Sequence, residues 1–105
     1  MTKVKIDPGA CGLITHVEAK SEDGMEVTVS VVSDCENIKK MMDALGDTFD
    51  PYEVCLKKPG AGPLYEYAGQ NMPGHAACPV IAGIIKCIEV ECKLALPKNV
   101  QISFE

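Results

Sequence analysis

The stretch MEVTVSVVSDCENIKKMMDALG, residues 25–46, changes period part-way along, and that change decides the fold. Over residues 25–32 apolar and polar residues alternate, with Val27, Val29 and Val31 on one side. That two-residue repeat predicts a half-buried strand. From residue 34 the repeat lengthens: Ile38, Met41, Met42 and Leu45 fall on one helical face, and Gly46 supplies a stop. Ser33 and Glu36 have capping-box spacing at the junction. A strand that runs into a helix, each with one apolar side, predicts a sheet with helices packed on one face.

Working back towards residue 1, TKVKI (2–6) alternates like a strand, DPGACG (7–12) is a turn, LITHVEA (13–19) is rich in β-formers, and KSEDG (20–24) is a polar turn. Three strands with short connections predict an antiparallel meander. Working forward, DPYEVC (50–55) offers an Asp cap and a Pro in the first turn, enough for one short turn of helix. Residues 57–75 read as a long irregular segment punctuated by Pro and Gly. Its KPGAGP lacks the Gly-Lys-Ser/Thr ending of a phosphate-binding loop.

In GHAACPVIAG (74–83), Cys78 is placed as N-cap and Pro79 as the first helical residue. The helix is expected to run to about Leu94, with Ile81, Ile84, Ile85, Ile88 and Cys92 on one face and Pro97 beyond its end. VQISF (100–104) is expected to close as a fourth strand. The expectation is therefore one α+β domain over residues 1–105. It has an antiparallel sheet of three to four strands in the order β-β-β-α-(α)-α-β, with two main helices on one face.

Composition narrows the function. The net charge is −5, all ten basic residues are lysines, and there is no arginine. A basic footprint for nucleic acid is missing, and so is the bidentate guanidinium clamp for phosphate or carboxylate. No apolar run reaches membrane-spanning length, and residues 1–10 lack the apolar core of a signal peptide. The expected setting is the cytoplasm, with no membrane and no nucleic-acid partner. In that reducing setting six cysteines read as metal ligands, reactive thiols or small buried hydrophobes before disulfides. No Ser-His-Asp set or carboxylate pair nominates hydrolase chemistry, and there is no Cys-x-x-Cys pair. The residues do not nominate an enzyme.

The meander has a consequence for the thiols. If the first strand climbs, Cys11 lies at the top in the first turn. Cys35 lies at the top too, where the third strand gives way to a helix, although the two are 24 residues apart. Cys78 joins them if its helix descends across the sheet. Cys35 and Cys78 then both stand at helix N-termini, where exposed N–H groups and the helix dipole favour thiolate. His75 or Cys55 would complete a four-ligand shell. Three Cys and one His suit tetrahedral Zn²⁺, and the set is similar to the thiolate shell of an iron–sulfur cluster. Cys87 and Cys92 fall among the apolar positions of the last helix and read as packing. His16 is mid-strand and reads as solvent-facing. Tyr65 and Tyr67 share a face if their segment is extended.

Cys11-Gly12 in the first turn, Cys35 at the strand–helix junction, Cys78 a further 43 residues on, and Pro73 before it together resemble the iron–sulfur cluster assembly scaffolds of the IscU/NifU type. The likeness spans roughly residues 3–95. It implies cluster or metal binding through Cys11, Cys35 and Cys78, and a partner for sulfur or cluster transfer. The family's aspartate two positions after the first Cys is Leu13 here, and the histidine before the third Cys is Ala77, with His75 two residues earlier. The Leu-Pro-Pro-Val-Lys motif is missing. The chain also resembles small Cys-rich proteins of anaerobic microbes, which implies metal or sulfur metabolism.

Three readings follow. The first is a protein that binds iron–sulfur or Zn²⁺ through Cys11, Cys35, Cys78 and His75. The second is a metal-free thiol protein in sulfur transfer or thiol exchange. The third is an interaction domain with structural cysteines, whose sheet edge pairs with a second copy as a homodimer.

Overall fold

Val17, Ala19, Val27 and Val29 are buried, while their neighbours Glu18, Lys20, Thr28 and Ser30 are exposed. That alternation forces a sheet with one dry face. The computed structural model describes all 105 residues and has this arrangement. Strands β1 (Thr2–Ile6), β2 (Thr15–Lys20) and β3 (Val27–Ser33) form the antiparallel meander, with Val4 opposite Val17 and Val17 opposite Val31. Helix α1 (Glu36–Leu45) follows, then a two-residue strand β4 (Thr48–Phe49) pairing with Val27 and Thr28 at the outer edge of β3. Helices α2 (Pro51–Cys55), α3 (Pro63–Asn71) and α4 (Pro79–Glu91) complete the chain's regular structure. The sheet order is β1-β2-β3-β4.

Helix α4 covers β1 and β2, α1 covers β3, and α2 and α3 pack against these two helices. All contribute to one core, built round Val17, Val29, Ile38, Met41, Leu64, Ile84 and Ile88. The α+β reading, with an antiparallel sheet of four strands and its two main helices on one face, holds.

Three expectations for the elements do not. VQISF (100–104) is not a strand: it is irregular, exposed and paired with no other strand. The fourth strand is Thr48–Phe49 instead, so the order is β-β-β-α-β-α-α-α. Residues 57–75 are not wholly irregular, since Pro63 opens α3 with Gly62 as its N-cap at φ 94°. Gly is required there: an added Cβ would stand 3.0 Å from the carbonyl oxygen of Glu53 in a backbone region that side chains disfavour. As α3 is helical, Tyr65 and Tyr67 do not share a face. Smaller differences sit at helix ends: α4 stops at Glu91 rather than Leu94, and α1 is capped by Cys35 rather than Ser33.

Helix α4 has a fixed sense against the sheet. Gly83 lies on Ile6, at the end of β1. Further along, the Cys87 thiol faces the carbonyl of Thr2 at 3.3 Å. Glu91 then reaches both Thr2 and Ser21. The helix thus descends from the end of the sheet where β1 finishes, β2 begins and β3 finishes, called here the upper end.

Candidate functional site: the upper rim and its thiols

Cys11 sits in the turn joining β1 to β2. Gly9 N–H donates to an Asp7 carboxylate oxygen at 3.0 Å, and Gly12 N–H donates to the Gly9 carbonyl at 2.9 Å. Gly9 and Gly12 adopt φ of 89° and 68°, so the turn needs its glycines. The Cys11 side chain is exposed and packs on nothing in the core.

Cys35 caps α1 from an extended backbone. Its N–H donates to the Ser33 hydroxyl at 3.1 Å, and that hydroxyl shares a buried 2.7 Å hydrogen bond with the Thr15 hydroxyl. Asp34 N–H donates to the Ile14 carbonyl at 3.1 Å. These bonds tie the start of α1 to the start of β2 and so to the Cys11 turn. Ser33, read from sequence as a helix cap, instead locks strand to strand and aims the chain into Cys35. Only its pairing opposite Thr15 reveals this, and register is not visible in one sequence.

Cys78 caps α4 with Pro79 at the first position, as expected, and its N–H donates to the His75 carbonyl at 3.3 Å. Cys35 and Cys78 are half-buried and pack on the core from outside, whereas His75 is exposed. Because α4 descends, Cys78 shares the upper end with Cys11 and Cys35. The topology thus brings the three thiols to one rim. It does not gather them: no three His, Cys, Asp or Glu side chains stand close enough to hold a metal ion. Zn²⁺ needs four ligands converging within about 2.3 Å of one point. No four-ligand shell is preassembled on the rim in this arrangement.

Of the other three cysteines, Cys87 and Cys92 are buried and Cys55 is half-buried against the core. Cys87 is fully buried, with its thiol 3.3 Å from the Thr2 carbonyl and 3.8 Å from that of Val17. Burial pushes it up to about 11. Cys55 faces the Ile85 carbonyl at 3.8 Å and is pushed up to about 12 by burial, with Glu89 adding to it. Burial also raises Cys92. Thiols held protonated are poor nucleophiles and poor ligands. His16 is exposed on the open face of the sheet, as read. A cleft of about 460 Å³ lies at the lower end among Glu18, Lys20, Glu22, Asp23 and Glu26, away from the thiol rim.

A model described as "Family of unknown function (DUF6951)" matches residues 2–104. The chain belongs to this family. The DUF6951 match takes in every strand and helix, the three rim cysteines and the segment after α4. No curated protein matches this DUF6951 chain, and no solved structure does. No helix of it is long and apolar enough to cross a membrane.

Proposed function

We propose that this chain handles sulfur through free thiols, with Cys11 as the reactive group and Cys35 and Cys78 as its neighbours on the rim. The observation that carries the reading is the division of the six cysteines. Cys87 and Cys92 are buried, and half-buried Cys55 turns its thiol onto the Ile85 carbonyl, with burial raising all three, while Cys11, Cys35 and Cys78 share one end and two of them cap helices. An exposed thiol on a turn reaches a sulfur–sulfur bond on another molecule. It attacks one sulfur, a new S–S bond forms, and the donor leaves as its own thiolate.

A second reading, iron–sulfur or Zn²⁺ binding by Cys11, Cys35, Cys78 and His75, draws on the same shared end and on the Cys11-Gly12, Cys35 and Cys78 likeness to cluster scaffolds. The ungathered side chains count against it. One preparation separates the two. Protein purified without oxygen is assayed for Zn, Fe and sulfide, then pulsed with an alkylating reagent across pH. Metal-free protein whose Cys11 reacts faster at neutral pH than an ordinary thiol supports sulfur handling. Stoichiometric metal that is lost in Cys11→Ser and Cys35→Ser overturns it in favour of ligation. Metal-free protein with no fast thiol removes both.

A further inference from the structure

Val100, Ile102 and Phe104 are 64%, 80% and 100% exposed, and they alternate with Gln101 and Ser103. This is the pattern of a strand with one apolar side, in a segment that pairs with nothing. At the sheet's end β1 presents five residues whose outer edge is also unpaired. The opposite edge, on β3, is partly capped by β4. An open edge and an unpaired strand in one chain are complementary, since each supplies the backbone donors and acceptors the other lacks.

Charge selects the direction and the owner of that edge. The segment leaves α4 at the lower end, where Glu91 touches Thr2, so on its own β1 it would climb in parallel. Val100 would then lie beside Thr2 and Glu105 beside Asp7, two carboxylates together. Laid antiparallel, Val100, Ile102 and Phe104 fall opposite Ile6, Val4 and Thr2, the residues of β1 that face the helices. Gln101 and Ser103 meet the exposed Lys3 and Lys5 in either direction and Glu105 has a lysine diagonal to it in both, so the difference is that antiparallel pairing takes Glu105 away from Asp7. To reach that order on its own edge, the chain would have to run the length of β1 and double back within residues 93–99, which include Pro97. A second copy meets it without that detour, and two such exchanges close a two-fold dimer. We infer that residues 100–104 of one chain add antiparallel to β1 of a second copy, extending both sheets to five strands.

The test is the mass of the full chain in reducing buffer, from low to high micromolar concentration, together with backbone amide exchange. Reductant removes dimers made by the exposed Cys11. The expected result is twice the 11.2 kDa chain mass at high concentration, with amides of β1 and residues 100–104 protected in step. Ile102→Asp, outside the folded core, should return the protein to a monomer with an unchanged far-ultraviolet spectrum and lose that protection. A monomer at every concentration overturns the inference. So does a monomer with both segments protected, which places the strand on its own edge, and so does a dimer that Ile102→Asp leaves intact.

Discussion

Cys87 has a thiol wholly inside the core and aimed at backbone carbonyls of both β1 and β2, so it behaves there as a small hydrophobe with a weak donor. Its proton is held more tightly folded than unfolded, about 11 against 9. The sign follows: its contribution to stability is complete below about pH 9 and is lost as pH rises towards 11. Cys87→Ala should lower stability by about 1–2 kcal/mol at neutral pH. The gap between variant and parent in urea unfolding should narrow at alkaline pH. Ser33 and Thr15 make a second residue-scale case, because their hydroxyls are buried and satisfied by each other. Ser33→Ala orphans the Thr15 hydroxyl and the Cys35 N–H, and should cost about 1–3 kcal/mol. Thr15→Val combined with Ser33→Ala removes both hydroxyls and should cost less than the sum of the single changes. A double-mutant cycle in urea reads this directly, and additive costs would show that the pair is not coupled.

Between elements, Gly83 of α4 fits closely against Ile6 of β1. A Cβ at position 83 would collide with Ile6 Cδ1 and come within 2.6 Å of Ile6 Cγ1. Two effects oppose each other in Gly83→Ala. Helix propensity gains about 1 kcal/mol, and overpacking costs about 1–3 kcal/mol. The expected outcome in the parent is a net loss, seen as a lower melting temperature. In an Ile6→Ala background the same change should stabilise, since only the propensity remains. This contact also shows what was legible in the sequence. The strands β1 to β3, α1 and the start of α4 were readable because their apolar periods are strong and their stops explicit: Gly46, and Pro79 after Cys78. Helix α3 was not, because Gly69 and the flanking Pro-Gly pairs obscure a weak period in PLYEYAGQN. Strand β4 is only two residues long and carries no pattern at all. VQISF carried a strand pattern, but a strand also needs a partner, and within the chain the segment lies unpaired. For the thiols, sequence order was enough to place Cys11 and Cys35 at one end; Cys78 joins them only if its helix descends, and the contacts of α4 with Ile6, Thr2 and Ser21 supply that sense. Side-chain convergence, on which ligation depends, is a matter of ångströms and left no trace in residue spacing.

Across the whole molecule, the two ends of the sheet are held differently. The upper end carries the thiols on turns and helix caps, with the Thr15–Ser33 pair beneath them. The lower end is fastened by Glu91, whose carboxylate accepts from the Thr2 hydroxyl at 2.7 Å and from Ser21 N–H at 2.9 Å, with the Met1 amine 3.6 Å away. One side chain at the end of α4 thus joins the start of β1 to the end of β2. The hydrogen bond from Thr2, with the Ser21 amide and the amine adding to it, holds this carboxyl below its ordinary 4.5. The folded state therefore binds the proton less tightly than the unfolded chain. Its contribution to stability is complete above about pH 4.5 and is lost as pH falls through the depressed folded value. Glu91→Gln keeps the shape but removes the charge, and should cost about 1 kcal/mol at pH 7. In parallel urea titrations that difference should close as pH falls through the depressed folded value, where the parent's carboxyl takes up the neutral state that the variant always has. A gap that persists unchanged in acid would mean that the glutamine amide mispacks and that the charge contributes nothing. The fastening also sets where residues 93–105 depart from the body. Loosening it in Glu91→Gln should leave alkylation of Cys11 at the far end unchanged.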